Sequence, residues 1–157
     1  MQIEAFEKLK SGLANAPVLH HINYNLPIVI RTDASQYGIG GVLMQEHPSG
    51  TRHPVAYISK ALSETQRRWA TIETEAYAIY YAINQWQDYL IGHPFVVETD
   101  HANLQYLEKA SAPKLVRWRL QLANFDFVVR HIPRKENVIA DMLSRLCSID
   151  DSPDSTI

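Results

Sequence analysis

Only one cysteine, Cys147, occurs in 157 residues, so no disulfide can close within the chain and no multi-cysteine zinc site can form. No apolar run approaches the ~20 residues that a membrane-spanning helix needs, and Met1 is not followed by the basic-then-apolar pattern of a secretory leader. A soluble, intracellular domain with no membrane partner is expected. Charge of one sign is also lacking: 15 Lys and Arg against 17 Asp and Glu leave a formal net charge of −2. A chain that gripped nucleic acid strongly by itself would carry a basic excess, because phosphate neutralisation supplies most of that affinity. Neither a phosphate-binding glycine loop nor a cysteine or histidine nucleophile constellation is present. Six of the seven histidines show no metal-ligand spacing, and His20 and His21 read as a loop pair.

What is present fits one compact domain, since a chain of this length can bury roughly 70% of its unfolded surface. Hydrophobic residues at 46% and charged residues at 20% match the soluble globular average. Ile3, Phe6, Leu9 and Leu13 recur at helical spacing and predict a leading helix over 3–14, stopped by Gly12 and Pro17. Ile28, Val29 and Ile30 predict a buried strand whose end carries Asp33. The glycine-rich 38–44 and the stretch 54–58 predict two more strands, joined by turns into an antiparallel meander. The longest helical stripe, Ile72, Ala76, Ile79, Ala82, Ile83, Trp86 and Leu90, predicts one helix over 71–90 with Gly92 as its stop. A fourth strand at 95–97 runs into Glu98, Thr99 and Asp100. Helices at 101–107 and 113–123, a fifth strand at 125–130 and a last helix at 137–146 follow. Strands and helices in this order define an α/β domain with a mixed sheet. The tail 148–157 has no apolar period and is expected to be disordered.

Four carboxylates stand out by position. Asp33 and Asp100 each end an apolar strand, where a turn former or a helix cap is the plain alternative. Glu75 shares the stripe of Ile72, Ile79, Ala82 and Trp86, so its helix aims a charge at the sheet, and a charge there needs a partner or a metal. Glu73, about 200° away around the helix, faces outward. Asp141 is set among Val138, Ile139, Ala140, Met142 and Leu143. Carboxylates converging within a few ångströms are what two-metal phosphodiester cleavage requires, and hard oxygen ligands suit Mg2+ or Mn2+. Glu98 shares a strand face with Asp100 and is the nearest rival, with a structural salt bridge as its alternative. His131, at the mouth of the loop leading to Asp141, has the chemistry to shuttle a proton to a leaving oxygen. Basic residues cluster at Lys114, Arg117 and Arg119 and at Arg130, Arg134 and Lys135; either group reads equally as a solvated face.

Together the segments Thr32-Asp33-Ala34-Ser35, Gly38 to Leu43, Pro54 to Lys60, Ile72-Glu73-Thr74-Glu75-Ala76, Thr99-Asp100-His101, Arg117-Trp118-Arg119 and Lys135 to Arg145 closely resemble the ribonuclease H domain of a reverse transcriptase from a Gypsy-type LTR retrotransposon. The resemblance covers nearly the whole chain. It implies a ribonuclease H-like fold, with a five-stranded mixed sheet (a three-strand antiparallel meander plus parallel strands) flanked by helices. It implies an endonuclease that cuts the RNA strand of RNA/DNA hybrids during reverse transcription and leaves 5′-phosphate and 3′-hydroxyl ends. Asp33, Glu75, Asp100 and Asp141 then hold two Mg2+ ions, with Mn2+ able to substitute, and His131 matches a catalytic-loop histidine. Residues 1–25 correspond to a leading helix and junction from the polymerase connection, 26–147 to the ribonuclease H domain, and 148–157 to a tail or linker. The implied partners are the hybrid and, within a parent Pol polyprotein, the polymerase domain and integrase. The isolated domain is expected to be monomeric, and the setting cytoplasmic, in virus-like particles. No basic protrusion occurs between Asp100 and Phe125, so the grip on substrate looks weak in isolation. The competing readings are a non-catalytic module that inherits the fold as a structural or interaction domain, and another nuclease of the same superfold, which a different carboxylate spacing disfavours.

Overall fold

A computed structural model of the chain describes residues 21–146, so the helix expected over 3–14, Cys147 and the tail 148–157 lie outside the described residues. The strands are β1 (Ile28–Ala34), β2 (Gly38–Glu46), β3 (Arg52–Ala61), β4 (Phe95–Thr99) and β5 (Phe127–His131). They form one sheet in the order β3-β2-β1-β4-β5. β1, β2 and β3 are an antiparallel meander, whereas β4 lies parallel to β1 and β5 parallel to β4. The mixed five-stranded sheet expected from the sequence is therefore the one observed. Because parallel strands end on the same side, the chain leaves β1, β4 and β5 at one edge of the sheet, bringing Asp33, Asp100 and His131 to that edge.

Five α-helices flank the sheet within the described residues: α1 (Glu64–Arg67), α2 (Thr71–Gln85), α3 (Gln87–Leu90), α4 (Pro113–Gln121) and α5 (Val138–Ser144). Two 3-10 segments, Ala102–Lys109 and Arg134–Glu136, connect them. One sheet face presents Ile28, Ile30, Phe95 and Val97 to Ala76, Ile79, Ala82 and Ile83 of α2, with Leu115 and Trp118 of α4 closing the same core. Full burial of Ile79 and Ile83 contributes about 1.5–3 kcal/mol each, enough to keep α2 seated although the same helix also buries Glu75. On the opposite face, α5 lies so close to β2 that a Cβ added at Gly40 would sit 2.5 Å from Ala140 O and Ser144 N. Only glycine permits that approach, which sets α5 beside β1 and carries Asp141 toward Asp33.

Several elements differ from the expectation. The single helix over 71–90 is two, because Trp86 leaves helical geometry at φ −107° and ψ 21°. The break lets both Trp86 and Leu90 reach the core. The helix at 101–107 is a 3-10 segment kinked at Tyr106. β3 begins at Arg52, two residues before Pro54; it is an edge strand, so the missing proline N–H breaks no ladder, and the register shifts between Leu43 and Met44 beside it. The fifth strand runs Phe127–His131 rather than from 125 to 130. α1 has no apolar stripe, and its capping box is made by Ser63 and Gln66.

Candidate metal centre

Three carboxylates from three elements converge. Asp33 near the end of β1, Glu75 on the second turn of α2 and Asp100 just after β4 each offer an oxygen within 4.8 Å of the others. Asp33 and Glu75 are buried and Asp100 is half-buried. The fourth carboxylate, Asp141 on α5, is within hydrogen-bonding reach of Asp33. Asp33 is thus common to both halves of the cluster.

The electrostatics of so many carboxyls follow directly. Burial, then the charges of Asp33 and Asp100, push Glu75 up to about 9, against small opposing effects from the Ala34 backbone and Arg134. Burial, then Asp100 and the adjoining Asp141, raise Asp33 to about 7, with the Ser144 hydroxyl opposing. Glu75 Oε2 is buried with no hydrogen-bond partner. Mutually repelling carboxylates at one point, with one oxygen orphaned, are the donor set that hard divalent cations take, and a bound cation would relieve both the repulsion and the missing bond. These residues fit a magnesium-type centre.

Neighbouring groups hold the carboxylates in place. Ser144 Oγ donates to Asp33 Oδ2 at 3.1 Å, and Arg145 Nε donates to Asp141 Oδ1 at 3.0 Å across one helical turn. The Asn137 amide donates to Thr32 O at 2.8 Å, and the Asp141 N–H bonds Asn137 O at 3.1 Å, so α5 starts from a point fixed to β1. None of Ser144, Arg145 and Asn137 was singled out from sequence. The available signals were the four-residue spacing of Asp141 and Arg145 and the asparagine immediately before α5.

The rivals separate cleanly. Glu73 turns outward: Oε1 accepts the Ala70 N–H and Oε2 pairs with Lys114 at 3.0 Å. Glu98 is buried but joins no metal cluster. Burial alone would raise it, yet Arg52, Arg31 and Arg130 hold it down at about 2. His131 ends β5 in register with Thr99, with an exposed side chain at the same sheet edge as Asp100. Of the basic clusters, Lys114 pairs with Glu73 and lies 4.3 Å from the Trp69 ring centroid, and Arg119 donates to Glu108 O. Those two charges serve the fold.

A mixed five-stranded sheet in this order, with carboxylates gathered where its first and fourth strands end, defines a ribonuclease H-like domain. Solved structures share the fold: ribonuclease H1 from Halobacterium salinarum NRC-1 matches at TM-score 0.56 and 19% identity over 81% of this chain and 98% of that one. LC11-RNase H1, in complex with an RNA/DNA hybrid, matches at 0.60 and 21%, over 80% and 99%. A family model for the RNase H-like domain found in reverse transcriptase matches residues 23–125. The chain belongs to that family. Among its relatives, the retrovirus-related Pol polyprotein from transposon 297 of Drosophila melanogaster is 38% identical over 146 residues, and the transposon Tf2-3 polyprotein of Schizosaccharomyces pombe 36% over 151. Each alignment takes in 92% of this chain but only 13% and 11% of those polyproteins, so the chain spans about an eighth of their length or less.

Proposed function

We propose that this domain is a metal-dependent endonuclease that hydrolyses the RNA strand of RNA/DNA hybrids during reverse transcription, as part of a Gypsy-type Pol polyprotein. The observation that carries the reading is the convergence of Asp33, Glu75 and Asp100 within 4.8 Å, with Asp141 adjoining. Membership of the reverse-transcriptase family supports the same conclusion.

In this reading Asp33, Glu75, Asp100 and Asp141 hold two Mg2+ ions, for which Mn2+ can substitute. Two such ions would stabilise the attacking and the leaving oxygens of an in-line displacement. Asp33 adjoins Glu75, Asp100 and Asp141, so it would help to hold the ions. Ser144 and Arg145 restrict the rotamers of Asp33 and Asp141. His131, exposed at the rim, serves the leaving oxygen as a proton carrier. The near-neutral charge and the pairing of Lys114 and Arg119 within the fold leave substrate grip to a neighbouring polymerase domain, with residues 1–25 as the junction, 26–147 as the nuclease and 148–157 as a linker toward an integrase. Virus-like particles in the cytoplasm are the corresponding setting.

The test is cleavage of a labelled RNA/DNA hybrid in Mg2+, beside duplex RNA and duplex DNA. Hybrid-selective cleavage, lost in Asp100→Asn with the circular dichroism spectrum unchanged, is expected. Undiminished activity in Asp100→Asn would overturn the site, and cleavage of duplex DNA instead would overturn the substrate. Failure to cut any substrate, with no stabilisation by Mg2+ or Mn2+, would favour the non-catalytic module.

A further inference from the structure

The buried carboxylate of Glu98 is surrounded by guanidiniums from three other strands. Arg31 Nε of β1 donates to Oε1 at 2.9 Å, and Arg130 of β5 donates to Oε2 at 2.7 Å. Arg52 of β3 spans both oxygens, at 2.6 and 3.3 Å. Three members lie just upstream of the candidate catalytic groups: Arg31 is two residues before Asp33, Glu98 two before Asp100, and Arg130 one before His131. Arg52 also meets Glu46 at 3.5 Å within the β2–β3 hairpin, whereas Arg31 reaches the turn before α5: its second nitrogen donates to Glu136 O at 2.6 Å. Glu136 belongs to the 3-10 turn that carries the chain from His131 to α5, and Asn137 beside it is the residue whose carbonyl receives the Asp141 N–H.

We propose that Glu98 and Arg31 are positioning residues for the metal centre: Glu98 fixes the Arg31 guanidinium, and Arg31 holds the Glu136 turn that sets where Asp141 and His131 stand. The role presupposes that the carboxylates bind metal as proposed above, but the mechanical link can be tested without metal. A guanidinium can make both bonds at once because its donors form a rigid planar fork, whereas an ammonium is a point charge on a flexible stem. Without Glu98, Arg31 would keep one weak carbonyl bond and lose the charge-assisted one that orients it. Three arginines around one carboxylate would be excessive for neutralisation alone. The arrangement is explained if each ties a different part of the molecule: Arg52 the β2–β3 hairpin, Arg130 the edge strand, Arg31 the turn before α5.

The experiment compares Glu98→Gln, Arg31→Lys and Arg52→Gln in the whole chain. Amide exchange in metal-free protein should quicken at Asn137 and Asp141 in the first two variants and stay at the parent rate in Arg52→Gln, which loses a Glu98 bond but no contact with the turn. In the hybrid-cleavage assay the Mg2+ concentration for half-maximal rate should rise about tenfold in the first two, the scale typical of residues that orient metal ligands, with the rate recovering at high Mg2+. If all three variants lower the melting temperature while exchange at 136–141 and the Mg2+ requirement stay unchanged, Glu98 is a structural ion pair and the proposal fails. Should the parent chain cut no hybrid, the nuclease reading falls, and the exchange pattern still decides the link between Glu98 and the turn.

Discussion

Among single residues, Glu75 and Asp33 are the carboxyls that folding perturbs upward. Glu75 goes from 4.5 to about 9 and Asp33 from 3.8 to about 7. Between those limits the native chain holds protons that the unfolded chain has released, so the contribution of these two carboxyls to stability is full below about pH 4 and is lost as pH rises toward 9. Metal-free protein is therefore expected to melt at a higher temperature at pH 5.5 than at pH 8, each kcal/mol appearing as about 2–4 °C. Saturating Mg2+ should shrink that difference, because the ions take over what the protons were doing; calorimetry at both pH values in EDTA and in Mg2+ checks it. Glu75→Gln should flatten the metal-free pH dependence and abolish cleavage, and a variant that kept the slope would show that another group is responsible. Glu98 has the opposite sign: held near 2, it contributes stability above pH 4.5 that is lost as pH falls toward 2.

Helix α5 is placed by contact rather than by propensity. It is seven residues long, and an isolated helix of that length is not stable in water. Its position depends on the glycine floor of β2 and on bonds such as Ser59 Oγ to Leu143 O at 2.6 Å and Ser35 Oγ to Ser144 O at 2.7 Å. Gly40→Ala would drive a Cβ against backbone and against Leu143 Cβ, all at 2.5 Å, so α5 must lift off the sheet. A loss of about 1–3 kcal/mol, typical of overpacking, is expected in urea unfolding. Cleavage should fall by more than the unfolded fraction accounts for, since Asp141 moves with the helix. Gly50, at φ 87° with nothing near its Cβ position, is the contrasting case: alanine there strains the turn but leaves the centre alone, so cleavage per folded molecule should not change.

For the molecule as a whole, a net charge of −2 and a centre rich in carboxylates mean that, under the proposed function, metal should bind before nucleic acid is held firmly. Mg2+ at one hundred times its dissociation constant should stabilise the fold by about 2.7 kcal/mol, an increment that disappears in Asp33→Asn if that residue is common to both halves of the cluster. If the domain acts on hybrids beside a polymerase domain as proposed, hybrid binding by the isolated domain should be weak and steeply weakened by salt, and should tighten when a polymerase domain is joined to it; titration of both forms at two ionic strengths measures this.

Much of this architecture is written in local pattern. Short apolar runs, glycine-rich in β2, mark the strands, and the helical phase of Ile72, Ile79 and Ala82 turns Glu75 inward and Glu73 outward without reference to any relative. The resemblance of the motifs to reverse-transcriptase ribonuclease H domains supplied Asp33 and Asp100, whose positions at strand ends are ambiguous taken singly, and Asp141, set among apolar residues of a short helix. Tertiary structure decided what spacing cannot encode. Trp86 breaks the long helix because the core offers room for both it and Leu90. Glu98, two residues from Asp100 and on the same strand face, is withdrawn from the metal cluster because three arginines distant in sequence meet it. Ser144, Arg145 and Asn137 acquire their contacts only once α5 is docked. Periodicity and charge type are properties of neighbours along the chain, so the sequence carries them. Which carboxylate joins the cluster and which meets a guanidinium depends on residues far apart in the chain, and only the folded sheet brings those together.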